Sequence, residues 1–233
     1  MRYVGVRQIV IDDKPVQTPH WAPTRDLAGK TVAVVGSGPS LRTAPLAALR
    51  GTRFIAVNSA CIPMREYATA DDILYFTDNA WNENRPALAA EWPGIVITAN
   101  RNVKVRLQAA VRYIDVTALS TRMGVRADYS QASSAHIAAC LACDMGASKV
   151  LLVGMDCRSV GGASHGIDNY PSCDDLLFEN RFLPGWRGLA DAFTARGTEV
   201  VNVTPGSAIE WYRRGDLVGE LCVSTPTTTA NAS

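Results

Sequence analysis

Residues 31–41, TVAVVGSGPSL, constrain the fold of this chain more than any other stretch. The first five residues are apolar or β-branched throughout, which is typical of a strand buried on both faces of a parallel sheet. Gly36 and Gly38 permit a tight turn directly after that strand, and Pro39 suits the first turn of a helix. The pattern predicts a strand, a glycine turn and a helix from Pro39 to about Leu49. Because the free N–H groups at such a helix start point at one spot, the turn favours an anion, most simply a phosphate.

Two common phosphate-binding loops do not match this turn. The dinucleotide fingerprint G-x-G-x-x-G needs a third glycine, where this chain has Leu41, and an acidic residue after the next strand, where it has Asn58. The ATPase loop G-x-x-x-x-G-K-[ST] is absent from the sequence. The departures at Leu41 and Asn58 both count against NAD as a cofactor. The amide of Asn58 carries donors and an acceptor, so it suits a ribose, a base edge or a sugar, and it also suits a cap of the following helix.

Short apolar runs and helical segments alternate along the rest of the chain. Strands are predicted at residues 3–12, 31–35, 53–58, 72–76, 94–99, 112–116, 149–154 and 199–203. Helices are predicted at residues 39–49, 63–67, 79–90, 135–145, 185–196 and 208–213. This alternation predicts an α/β fold, a Rossmann-like, doubly wound, mostly parallel sheet with a short N-terminal strand addition.

The predicted domain organisation has three parts. Residues 1–29 form an N-terminal strand and connector, and residues 30–217 form a single Rossmann-like nucleotide-binding domain. Residues 218–233 form a low-complexity tail that is predicted to be disordered.

Composition argues against several classes of function. The 23 basic and 22 acidic residues nearly balance, with no basic run, which argues against nucleic-acid binding by bulk electrostatics. No apolar stretch reaches about 18 residues and the N-terminus lacks a signal-peptide core, so we expect no membrane association and a cytoplasmic location, the host cytoplasm for a phage gene. Without a secretory signal the six cysteines predict no disulfide framework. Cys140 and Cys143 are expected to be buried thiols, not metal ligands.

Polar residues follow two predicted strands, at the edge where doubly wound sheets bind ligands. Asp78 follows one strand, where it suits both a ligand contact and the N-cap of the next helix. Asp156 follows another. The long, glycine-rich loop at residues 159–175 carries His165, and long loops inside compact domains are usually functional or disordered. His165 is therefore the predicted catalytic or substrate-contacting residue.

Ser133 and Ser134 open the alanine-rich predicted helix, and either hydroxyl can cap it or share its N-terminus with an anion. His136, in the first turn of that helix, is predicted to be packed or partly exposed rather than catalytic. Residues 100–130 contain five arginines and one lysine. They are compatible with a flap in which one arginine reaches a phosphate, and also with a solvated surface.

Four segments in this order are more specific than any one of them: VVGSGPSL, IAVNSA, SSAHIAACLACDMGA and VLLVGMD. Their order resembles the MptE-like family of domains, also called DUF115, and the layout of the sialyltransferases of bacterial lipooligosaccharide synthesis. The later segments GGASHG and EVVNVTPGSAI look most like phage-encoded members of the same group. The resemblance covers about residues 30–217 and implies a Rossmann-like transferase with a nucleotide-sugar donor.

The resemblance also implies roles for the residues at matching positions. They are Gly36, Ser37, Gly38, Pro39 and Ser40 for the nucleotide-binding turn, Asn58 for the nucleotide, Ser133 and Ser134 for a helix start near the phosphate, and Asp156 for a strand end. Ser37 departs from the asparagine of the sialyltransferases. Their general-base histidine precedes the late helix, where residues 178–186 of this chain contain no histidine. Sialyl transfer itself is therefore not implied.

Three functions are compatible with these residues. In the first, a glycosyltransferase-like enzyme moves a sugar from its nucleotide to an acceptor hydroxyl, with His165 or Asp156 taking the proton. In the second, which follows the pterin side of the family, Mg²⁺ held by Asp78 and Asp156 assists diphosphate transfer from ATP to a hydroxymethyl group. In the third, the chain binds a nucleotide without catalysis. A homo-oligomer is compatible with all three.

Overall fold

The computed structural model of the protein describes residues 3–11, 14–100, 111–167 and 173–222. The strands within them are β1 (Tyr3–Ile11), β2 (Lys14–Trp21), β3 (Thr31–Val35), β4 (Arg53–Val57), β5 (Ile73–Phe76), β6 (Ile95–Thr98), β7 (Val111–Tyr113), β8 (Lys149–Val153), β9 (Glu199–Asn202) and β10 (Arg213–Arg214). The α-helices are α1 (Cys61–Met64), α2 (Asn79–Asn84), α3 (Pro86–Ala90), α4 (Val116–Met123), α5 (Ala127–Ser130), α6 (Ser134–Asp144), α7 (Asp175–Leu177), α8 (Leu183–Ala195) and α9 (Leu217–Cys222). Single 3₁₀ turns lie at Pro39–Arg42, Leu46–Leu49, Asn58–Ala60 and Arg65–Tyr67, and a π-helical turn lies at Phe178–Phe182.

The main sheet has eight strands in the order β10-β9-β8-β3-β4-β5-β6-β7, and its described pairs are all parallel. From β3 the chain builds outward to β7, and it then crosses to β8 on the other side of β3. The winding therefore reverses between β3 and β8. In doubly wound folds the crevice at the carboxyl ends of the strands beside such a reversal binds ligands. The predicted α/β, Rossmann-like fold is confirmed.

Each face of the main sheet carries its own apolar layer. In β3, Val32 and Val34 pack into one layer, and Ala33 and Val35 pack into the other. This arrangement explains why the strand is apolar without alternation. Helix α6 lies in the first layer against β3, with most of its residues buried. The small side chains of its alanine-rich sequence let it approach the sheet closely.

The N-terminal region differs from the prediction. Residues 13–30 are not simply a connector, because β2 pairs antiparallel with β1 in a separate two-stranded sheet. The two prolines of β2 are tolerated there, since each strand of such a sheet is an edge strand. Trp21 at the end of β2 is buried, and the guanidinium carbon of Arg112 lies 5.2 Å from the centre of its ring. This contact joins the hairpin to β7.

Prolines interrupt two of the predicted helices. Residues 39–49 form two 3₁₀ turns with Pro45 between them, and the helix predicted at 79–90 is divided into α2 and α3 at Pro86. Proline lacks the N–H that a continuous helix needs, and it biases the preceding residue away from helical angles.

The carboxyl-terminal part also differs from the prediction. Residues 208–213 do not form a helix, because the amide of Asn202 donates to the carbonyl of Ile209 at 3.1 Å and the chain then enters β10. Helix α9 lies mostly within the predicted tail, whose residues 223–233 are outside the described part. Across the described residues, every helix is too short or too polar to span a bilayer.

The two cysteines of α6 are buried, as predicted for structural thiols. Burial raises the pKa of both Cys140 and Cys143, so the thiolate is disfavoured at each.

Candidate functional site

A cavity of about 550 Å³ lies at the carboxyl ends of the strands beside the winding reversal. It is lined by the segments after β3, β4, β5 and β8, the start of α6, the loop with His165 and the turn before α8. Of the predicted site residues, the structure brings together around this cavity Gly36, Ser37, Gly38, Asn58, Asp78, Ser133, Ser134, Asp156 and His165. Pro39 and Ser40 lie just behind its lining, in the 3₁₀ turn.

Three N–H groups of the glycine turn are used inside the protein. The N–H of Gly36 donates to the carbonyl of Val153 at 2.8 Å, and that of Gly38 donates to the carbonyl of Gly154 at 2.9 Å. The N–H of Ser40 donates to the carboxylate of Asp156 at 3.2 Å. The prediction of free donors at this turn is therefore wrong for these three groups, because the end of β8, the glycine after it and Asp156 accept their hydrogen bonds. The turn is joined to the loop after β8 instead.

The carboxylate of Asp156 lies where the sequence predicts an anion. It accepts bonds from the N–H and from the hydroxyl of Ser40, the latter at 2.7 Å, and the residue is only 3% exposed. Burial raises the pKa of this carboxyl, although the bonds from Ser40 oppose the shift. A ligand phosphate could reach these donors only by displacing the carboxylate.

We expect Asp156→Asn to change how stability depends on pH. Above the ordinary aspartate pKa of 3.8 the unfolded chain releases its proton while the folded protein still binds it, so folding loses stability as pH rises through this window. The free energy of unfolding of the wild type should therefore fall relative to that of the variant as pH increases from 3.8 to the raised pKa. Urea denaturation of both proteins over a pH series measures the difference. A difference that grows in favour of the wild type would contradict a raised pKa.

Strained backbone is concentrated in the cavity. Among the described residues, Asn58 and Cys157 are the non-glycine positions with positive φ, at 50° and 49°, and both line the cavity. Asn58 does not cap the following turn, whose N-cap is Val57. Its side-chain oxygen is instead buried and has no hydrogen-bond partner within the described part of the chain. Such strain and an unsatisfied polar atom in one residue are typical of functional sites.

The carboxylate of Asp78 caps α2, accepting from the N–H of Ala80 at 2.9 Å, so the capping role is confirmed. Asp78 also borders the cavity. A contact with a ligand stays a prediction.

The start of α6 has a hydrogen-bond arrangement that sequence reasoning did not foresee. Ser133 is the N-cap but does not cap the helix with its side chain. Its hydroxyl lies 2.7 Å from Nδ1 of His136, whose Nε2 lies 2.9 Å from the carbonyl of Phe182. His136 is fully buried and stacks on Trp186 at 4.2 Å between ring centres, which confirms that it is packed. Burial lowers its pKa to about 3, so the ring is neutral.

His165 is held against the glycine turn. The N–H of the next residue, Gly166, donates to the carbonyl of Ser37 at 2.7 Å, and Nε of Arg42 donates to the carbonyl of Gly166 at 2.6 Å. Nδ1 of His165 lies 3.3 Å from the hydroxyl of Ser37, and its Nε2 lies 3.6 Å from the sulfur of Cys173. The predicted histidine therefore stands beside the predicted turn, although the two are far apart in sequence.

Arg181 is a cavity residue that sequence reasoning missed. Of the described lining residues it alone carries a permanent positive charge. It lies in the π-helical turn before α8, and one of its Nη atoms donates to the carbonyl of Gln131 at 3.2 Å. π-helical turns often occur at functional sites, but no sequence pattern predicts where they form.

The predicted arginine flap is only partly described, since residues 101–110 lie outside the described part. The described arginines of that region make surface or packing contacts. Arg112 lies over Trp21, Arg122 pairs with Asp144, and Arg126 pairs with Asp128.

No protein-family model and no curated protein matches the sequence, so the likeness to MptE-like domains stays a prediction. Solved structures do share the fold. A MAf glycosyltransferase from Magnetospirillum magneticum AMB-1 matches with a TM-score of 0.58 and 17% identity, over 91% of this chain and 36% of that one. The sialyltransferase CST-II, solved with a trisaccharide acceptor and CMP, matches with a TM-score of 0.53 and 13% identity, over 81% and 87% of the two chains. The monofunctional α-2,3-sialyltransferase Cst-I from Campylobacter jejuni matches with a TM-score of 0.51 and 12% identity, over 82% of each chain.

The chain is similar in fold to glycosyltransferases. It spans only about a third of the length of the Magnetospirillum protein, which is therefore much larger. At identities of 12–17% the likeness shows the fold alone.

Proposed function

We propose that this protein is a transferase that moves a sugar from a nucleotide donor to an acceptor hydroxyl. The observation that carries the proposal is the cavity itself, which lies at the winding reversal and is lined by both His165 and Asn58. Its volume of about 550 Å³ is within the usual range for small-molecule sites. The fold shared with glycosyltransferases supports the same function.

The residues of the cavity suit separate parts of such a donor. The side chain of Asn58 contacts the nucleoside, and the guanidinium of Arg181 binds a phosphate by charge-assisted hydrogen bonds. His165 takes the proton of the acceptor hydroxyl as its oxygen bonds to the anomeric carbon. The bond from that carbon to the phosphate oxygen breaks with its electron pair, and the nucleotide leaves as an anion near Arg181. Asp156 is a weaker candidate for the base because Ser40 already binds its carboxylate.

Diphosphate transfer from ATP is less well supported. It needs carboxylates free to bind Mg²⁺. Asp78 caps α2, and Asp156 is bonded to Ser40. In the described part of the chain, no group of three or more acidic, cysteine or histidine residues is arranged to hold a metal ion.

A thermal-shift screen tests the proposed function. The panel contains CMP, UMP, GDP, AMP, their sugar conjugates, ATP with magnesium, and NAD. A ligand that binds only the folded state adds about 2.7 kcal/mol of stability at a hundredfold excess over its dissociation constant. We expect a shift with one class of nucleotide and its sugar conjugate, in the presence of a chelator. A shift with ATP and magnesium alone would favour diphosphate transfer, and no shift at all would overturn nucleotide binding.

Arg181→Ala sharpens this test, with Arg187→Ala as its matched control. Both arginines are exposed and lie in or beside α8, but only Arg181 lines the cavity. A hydrogen bond to a charged group contributes about 1.5–3 kcal/mol, so Arg181→Ala should weaken nucleotide binding about 10- to 100-fold. Arg187→Ala should leave it unchanged. Equal affinities for the two variants would contradict the phosphate position.

A further inference from the structure

His136 and the carbonyl of Phe182 together determine the direction in which the hydroxyl of Ser133 donates its proton. The carbonyl of Phe182 can only accept a hydrogen bond, so Nε2 of His136 carries the ring proton. His136 is neutral because it is fully buried, which disfavours the charged ring, so its Nδ1 has a lone pair and no proton. The hydroxyl of Ser133, 2.7 Å away, must therefore donate to Nδ1. Its single proton is used inside the protein.

This arrangement makes the hydroxyl of Ser133, on one wall of the cavity, a hydrogen-bond acceptor for a ligand. With its proton directed at His136, Ser133 offers the cavity only the lone pairs of its oxygen. The permanent positive charge of the described lining is carried by Arg181. The cavity thus has an acceptor at Ser133 and a strong donor at Arg181.

We infer that His136 is a positioning residue that makes Ser133 an obligate acceptor, so that this wall binds a ligand group carrying an O–H or N–H. The inference rests on the proposed function and deepens it: the nucleotide is selected through a hydrogen-bond donor, either a ribose hydroxyl or the amino group of its base. A phosphate oxygen at Ser133 would face an acceptor. Ser133 therefore has a different role from the phosphate-side role implied by the sialyltransferase resemblance.

Calorimetric titration of the wild type with matched nucleotides tests the inference. CMP against UMP and AMP against IMP compare an amino group with a carbonyl at the same position, and 2′-deoxy and 3′-deoxy analogues remove one ribose hydroxyl each. We expect affinity to fall about 10-fold for the analogue that lacks the recognised donor, and to be nearly unchanged for the others. The comparison that shows the loss of affinity identifies whether the protein recognises the base or the ribose.

Two substitutions of His136 separate positioning from packing. In His136→Asn the side-chain oxygen can accept near the position of Nδ1, so the discrimination should be retained. In His136→Gln the amide can still donate to the carbonyl of Phe182, but the hydroxyl of Ser133 loses its acceptor and is free to rotate. The 10-fold discrimination should then fall towards unity, as it should in Ser133→Ala.

A wild type that binds every nucleotide pair equally would overturn the inference while leaving the proposed function intact. If no nucleotide binds, both fail. Nitrogen-15 spectra of the wild-type histidines at pH 7 provide a measurement that does not depend on the variants folding. They should show His136 neutral with its proton on Nε2, and a proton on Nδ1 would overturn the inference.

Discussion

Replacing His165 by alanine is expected to lower sugar transfer by about 10²- to 10⁴-fold, the usual contribution of a general base. Nucleotide affinity should change by less than about threefold, since removal of one neutral hydrogen bond costs only about 0.5 kcal/mol at the lower end of its range. The measurement is release of free nucleotide from the best-binding nucleotide sugar, with water or a simple glycan as the acceptor, together with calorimetric affinity.

Added imidazole provides the control for His165→Ala. Imidazole can enter the space left by the ring, so it should restore part of the lost turnover without changing affinity. A variant that turns over donor as fast as the wild type would exclude His165 as the base. A wild type that binds nucleotide and never releases it from the sugar would favour the non-catalytic module.

Gly38→Ala is expected to destabilise the protein and to abolish the nucleotide-induced shift. The backbone of Gly38 has φ −65° and ψ 164°, which alanine adopts readily, so the effect is steric. An added Cβ would lie 2.1 Å from a carboxylate oxygen of Asp156 and 2.7 Å from the carbonyl oxygen of Gly154. Forcing an extra carbon into such a contact costs about 1–3 kcal/mol of unfolding free energy. Urea denaturation and the thermal-shift screen measure the two effects.

Gly219→Ala is the matched control for this substitution. An added Cβ at Gly219 in α9 has its nearest neighbour at 3.6 Å, an ordinary contact, so stability should be unchanged or rise by up to about 1 kcal/mol. In an Asp156→Ala background the cost of Gly38→Ala should become smaller, because one of its two clashes is removed. Full additivity of the two substitutions would contradict the steric explanation.

The sequence was sufficient to predict most strands of the main sheet and nine of the residues that line the cavity. Apolar runs reveal buried parallel strands, and the carboxyl ends of parallel strands meet at one edge, so Asn58, Asp78 and Asp156 could be placed together without coordinates. Asp78 was likewise recognisable as a cap, because its interaction is local. The continuous helices predicted at residues 39–49 and 79–90 were wrong for a local reason too, since a proline interrupts each segment.

Contacts between distant segments could not be predicted in this way. The pairing of the glycine turn with the end of β8, and of Asp156 with Ser40, depends on which strands become neighbours. The π-helical turn that carries Arg181 and the bond from Ser133 to His136 depend on how α8 packs against α6. These contacts determine which hydrogen-bond donors remain free to bind a ligand. The sequence could therefore indicate where the site lies, but not which of its groups donate and which accept.

The two edge strands of the main sheet, β10 and β7, leave little backbone for another chain to pair with. At one end β10 has two residues, and Arg213 there forms ion pairs with Glu199 and Glu220. At the other end the hairpin meets β7 through Trp21 and Arg112. Short, charged or covered edge strands discourage strand-to-strand aggregation. If copies of this protein associate, we therefore expect side-chain surfaces to join them, not extension of the sheet.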